Sequence, residues 1–183
     1  MIIAKEKKKN NIIEYILYMW QIEDLLRSLE LNYDKVNENI ISQFDTSSEI
    51  KEEISVWYKG LIEQMQGEGI KEKGHLQFVK NTINEMNDLH LYLIQKKNPQ
   101  YLQYYSWAKT HIDELQKLSK NTAKNEIEAG LNGLYGYLLL KFQKRQITEE
   151  TQKSIDAISK MLAYLNKIHL EIESGEMEIT PLL

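Results

Sequence analysis

Three of the chain's four histidines stand among apolar residues at helical spacing, where an imidazole could hold a metal or move a proton inside a bundle. His90 falls amid Val79, Ile83, Met86, Leu93 and Ile94, and His111 among Tyr104, Trp107, Leu115 and Leu118. His169 shares its face with Ile155, Ile158, Leu162 and Leu165. Two further charges face inward. At about 100° per residue, Glu23 and Arg27 lie in the sector of Ile12, Ile16, Met19, Trp20 and Leu26, and their spacing suits a partly buried ion pair. Glu23, Arg27, His90, His111 and His169 are therefore the candidate buried polar cluster. His75 lies in a turn marked by Gly67, Gly69 and Gly74 and reads as incidental.

Three inward imidazoles with Glu23 would be a metal site only if they converge. The ligand spacings that helices use for this are missing. There is no HExxH, and the one Glu-x-x-His runs from Glu72 to His75, in the glycine turn. A di-iron core needs two such motifs and two further carboxylates. No metal and no cofactor are expected, with His90, His111 and His169 as the alternative metal ligands. The absence of cysteine excludes disulfides, thiolate metal sites and thiol nucleophiles. Gly130, Gly133 and Gly136 look at first like a phosphate loop, but such a loop needs a strand before it. Here Leu131, Leu134, Leu138 and Phe142 share one helical face and the glycines cluster on the other. That pattern predicts a smooth face that a neighbouring helix approaches closely. No catalytic motif is found, and the reading leans against an enzyme.

The elements that must position these residues are helices. Apolar residues recur at three- and four-residue steps almost throughout, and no strand alternation of useful length occurs. The spacing predicts helices from about Lys5 to Glu30, Tyr33 to Phe44, Ser48 to Gln66, His75 to Lys97, Pro99 to Lys120, Ala123 to Gln146 and Thr148 to Gly175. Asp45 to Ser48 and Thr148 are capping candidates, and Pro99 suits the first turn of its helix. Short connections favour antiparallel neighbours. The expected fold is all-α, an up-and-down helical bundle of six to seven helices with helix 1 central, because helix 1 is apolar around most of its circumference. One domain is expected over residues 1–175, followed by a loosely ordered tail over 176–183.

At 183 residues the chain can bury a real core, and its net charge of −4 with only two arginines argues against the basic stripe of a nucleic-acid binder. The one dense basic run, Lys5 and Lys7 to Lys9, reads as a solvated helix start. Glu14 breaks the apolar run that follows, so neither a secretory leader nor a membrane span is expected, and the location is read as cytoplasmic. Tyr101, Tyr104, Tyr105 and Trp107 open one helix with more aromatic area than a single face hides. Trp107 lies at its edge and is the candidate interface residue.

The opening Met-Ile-Ile-Ala-Lys-Glu-Lys-Lys-Lys-Asn-Asn-Ile, continuing into Glu14-Tyr-Ile-Leu-Tyr-Met-Trp-Gln-Ile-Glu-Asp, resembles an uncharacterised family of bacterial helical proteins found mainly in Bacteroidetes. That family consists of proteins of about this length and carries a domain-of-unknown-function label. The resemblance implies a helical fold over the whole chain and brings no catalytic residues with it. The functional expectation is a non-enzymatic helical bundle acting through protein contacts as a homo-oligomer or with a protein partner, with no nucleic acid and no membrane. The alternative is a bundle that binds a metal or small ligand through its inward histidines.

Overall fold

A computed structural model of the chain describes residues 2–120 and 122–178. Among these the chain is all-helical, with eight α-helices: α1 (Ile2–Asn10), α2 (Ile12–Ser28), α3 (Tyr33–Asn39), α4 (Ser48–Gly67), α5 (Gln77–Gln95), α6 (Pro99–Leu118), α7 (Glu126–Phe142) and α8 (Glu149–Glu173). A single 3-10 turn, Ile41–Gln43, follows α3. The expected count of six to seven is exceeded because the first predicted helix is two. Asn11 leaves the helix at φ −158°, and its side chain accepts from the Glu14 N–H that opens α2. An asparagine that can satisfy an orphan amide competes with the helix running through it.

The same device starts most of the other helices. Side chains of Asn32, Ser47, Asn98, Asn125 and Thr148 each accept from the backbone N–H three residues on, opening α3, α4, α6, α7 and α8. Each such cap is worth about 1 kcal/mol over alanine. Pro99 occupies the first turn of α6 as expected. Gly175, at φ +78°, ends α8 in the left-handed conformation that glycine adopts without strain. Of the tail expected over 176–183, residues 179–183 lie outside the described residues.

The chain divides into two compact units, Met1–Asn81 and Thr82–Leu183, the division falling inside α5. In the first unit α2 buries ten of its seventeen residues, which follows from its apolar circumference. Ile16, Met19, Trp20, Leu26, Tyr58, Met65 and Leu76 are closed off there, each contributing about 1.5–3 kcal/mol of apolar burial. Tyr58 is 2 % exposed. Its burial, with Tyr18 adding to it, pushes its hydroxyl from 10.0 to about 12. The folded chain therefore holds this proton more tightly than the unfolded chain. The stability it contributes is whole below pH 10 and is lost as the pH rises to about 12. Denaturation curves across that window should show Tyr58→Phe flattening the fall in stability. An unchanged slope would remove Tyr58 as its source.

In the second unit α6 packs on α8, and α7 lies against both. Met86, Leu93, Tyr101, Ile112, Ile127, Ile158 and Leu165 are buried there. No helix among the described residues is long and apolar enough to cross a membrane.

Candidate functional site

The five inward polar residues do not form one cluster. They resolve into a carboxylate centre in the first unit, a histidine centre in the second, and two half-buried histidines, one beside a serine and one at the edge of an open groove.

Glu23 is 0 % exposed, on α2. One carboxylate oxygen accepts the Leu76 N–H at 2.8 Å, and the other lies 2.6 Å from His75 Nδ1. The His75 ring stacks on Trp20, with centroids 4.5 Å apart and planes 19° from parallel. Leu76 immediately precedes α5, so a carboxylate sits at the positive end of that helix. Glu68 adds a second, accepting from Gln77 N at 2.8 Å. The ion pair expected between Glu23 and Arg27 does not form. Arg27 pairs with Asp24 at 2.8 Å instead, and its other nitrogens donate to the Ile70 and Gly74 carbonyls. The physical reason is local: the loop over 68–76 lies on this face of α2 and offers carbonyls to the guanidinium and N–H groups to the carboxylate. Glu23 and Arg27 thus fasten the loop at two points. The carboxylate also acts at a distance: Tyr15, already raised by burial, is raised further by Glu23.

His75 read as incidental, and that reading is corrected. A glycine-rich turn carries no period, so nothing in the spacing announced that this ring would fold back onto Trp20 and Glu23.

His90, on α5, is 2 % exposed. Its Nδ1 lies 2.5 Å from the Tyr101 hydroxyl and its Nε2 3.5 Å from Glu126 Oε2. Tyr101 O–H can donate to Nδ1, and Nε2 faces the carboxylate at a distance that leaves Glu126 Oε2 without a hydrogen bond of ordinary geometry. Tyr105 meets the His90 ring edge-on at 5.1 Å and hydrogen-bonds Glu126 as well. From Glu126 the chain of contacts reaches the surface through Lys109, 3.7 Å away, which is held by Asp113 at 2.6 Å. The contact with His90 holds the Glu126 carboxyl below its ordinary 4.5 against the opposing effect of burial. Burial pushes the Tyr101 hydroxyl far above 10.0, with Tyr105 and Glu126 adding to it. The network joins α5, α6 and the first residue of α7. Tyr101 was legible as one of the aromatics that open its helix, but Glu126 and the meeting of the two on His90 were not.

His111 and His169 were expected to face inward, and both are only half-buried. His111 Nδ1 lies 3.0 Å from the Ser154 hydroxyl and 3.8 Å from Glu114. His169 borders an open groove of about 430 Å³ with Glu85, Asp88, Tyr92 and Glu173. An imidazole at the margin of an apolar face turns its ring to the nearest polar partner or to water, so spacing alone placed both too deep. His90, His111 and His169 have three separate sets of neighbours. Among the described residues no three histidine or carboxylate side chains are grouped so as to hold a metal ion. Trp107, the expected interface residue, is 49 % exposed and meets Tyr104 edge-on at 5.7 Å.

The glycine face of α7 is the last element. A Cβ on Gly130 would lie 3.3 Å from Ile158, and one on Gly133 would run into the end of Leu115. These two glycines are the close-packing face that their spacing predicted. Around a Cβ on Gly136 there is no atom within 4 Å. Beyond Leu131 the helix buries nothing, although it stays apolar through Leu134, Leu138, Leu139, Leu140 and Phe142. An open groove of about 400 Å³ runs along it, with Leu115, Leu118, Gly133, Gly136, Leu140 and Ile155 among its lining.

No curated protein and no solved structure matches the chain. A family model does, and it covers both units: over residues 1–176 the chain belongs to the family described as Domain of unknown function (DUF4924).

Proposed function

We propose that this protein is a non-enzymatic helical module that acts through protein contacts and self-associates. One observation carries the reading: the exposed apolar surface where α6 ends and α7 continues. Leu118 is 82 % exposed and Phe142 69 %, with Leu139 and Leu140 partly exposed between them. A helix apolar on all sides is normally buried, and contiguous exposed apolar surface marks contact sites. Trp107 extends the strip, because eleven residues of α-helix return to within about 20° of the same face and so align it with Leu118. Coverage of both units by one family model supports reading 1–175 as one working domain. The cysteine-free composition fits a bacterial cytoplasm.

Sedimentation equilibrium over a wide concentration range tests the reading. Reversible association is expected, with Leu118→Glu weakening it about tenfold or more. A single monomeric species at all concentrations would refute self-association.

A further inference from the structure

Resting on that reading, we propose that the second copy docks antiparallel along α7, with Gly136 of each protomer at the two-fold axis. The charges of the helix point this way. Glu126 and Glu128 lie in its first turn, Lys141 in its last, and Lys144 and Arg145 just beyond. Lys144 and Arg145 are exposed and enter no ion pair among the described residues. Gly136 is eight residues from Glu128 and eight from Lys144 in the sequence. The first span is about 12 Å of helix, and the second runs through the helix end at Phe142 into the turn that holds Lys144. An antiparallel pair centred on Gly136 therefore sets Glu128 of each protomer against Lys144 of the other, and it opposes the two helix dipoles. A parallel pair would set like charges together.

The glycines give a second and independent reason. Gly130 and Gly133 are occupied by Ile158 and Leu115 of the same chain, whereas Gly136 faces open space. Glycine inside a helix is destabilising relative to alanine, and nothing within the protomer uses this one. Its missing side chain leaves a notch at the middle of the exposed stretch, flanked by Leu139 and Leu140, where a second helix backbone can come close.

The test sets two readouts against each other. Because a side chain at Gly136 meets nothing in the protomer, Gly136→Leu should keep or raise the thermal midpoint of the dilute monomer. At the same time it should raise the dimer dissociation constant at least about tenfold. Lys144→Glu alone and Glu128→Lys alone should each weaken the dimer several-fold, and the double reversal should recover most of the loss. If the wild-type dimer forms but Gly136→Leu leaves its dissociation constant unchanged, self-association stands and this geometry is overturned. Single charge reversals that tighten the dimer would overturn it in favour of a parallel pair. A protein that never dimerises removes both readings.

Discussion

Glu23→Ala should destabilise the protein by about 3–5 kcal/mol, the range found when one partner of a buried charged contact is removed. The substitution leaves the Leu76 N–H without its acceptor inside a closed interior, which by itself costs about 1–3 kcal/mol. It also frees His75, whose ring is held between Trp20 and the carboxylate. Glu23→Gln should cost less. Its amide oxygen can still accept from Leu76, and its NH2 can donate to Nδ1 if His75 carries its proton on Nε2 instead. Chemical denaturation followed by circular dichroism measures both. Amide exchange should place the loss first in the loop over 68–76 and in the opening turn of α5. A loss under about 1 kcal/mol for the alanine variant, or exchange unchanged in that loop, would mean that Glu23 does not hold it.

His90→Ala is the second large effect, expected at about 3 kcal/mol. It opens a cavity among Tyr101, Tyr105 and Glu126 and leaves the Tyr101 hydroxyl without its acceptor. A double-mutant cycle with Tyr101→Phe should return a coupling of about 0.5–3 kcal/mol, since the two side chains share one hydrogen bond. Glu126 supplies the accompanying signature. Its carboxyl is held low first of all by His90, so the variant should raise it, measurable by NMR titration. A carboxylate held lower in the folded state contributes stability above its unfolded value, and that contribution is lost as the pH falls through the folded one. The gap between wild type and variant should therefore narrow in acid. A gap that stays constant would take Glu126 out of the network.

The individual residues show how far the chain was legible in advance. Apolar periodicity gave the helical class and the course of α4, α6 and α8 to within a few residues, because direction from a helix axis is written every three or four positions. Capping chemistry announced Thr148 and Pro99 but not Asn11. Asparagine in an apolar run can face out or turn back on the backbone, and the choice depends on what α2 packs against. Glu23 was picked out correctly as an inward charge and paired wrongly. Its true partners, His75 and Leu76, lie 52 and 53 residues away, across a turn whose path has no period.

The sequence by itself determined that this is an all-helical protein without thiol chemistry, and which side of each helix is apolar. It also marked two positions, Glu23 and His90, where a polar group enters the interior. Periodicity specifies only the direction in which a side chain leaves its helix. The tertiary structure decided what stands opposite: a loop for Glu23, a tyrosine and a glutamate for His90, a serine for His111. It also decided that α7 buries no residue after Leu131, leaving Leu139 and Leu140 partly exposed beside an open groove. The residues of α7 are as apolar after Leu131 as before it, and only their packing against the rest of the fold separates the buried half from the half left partly exposed.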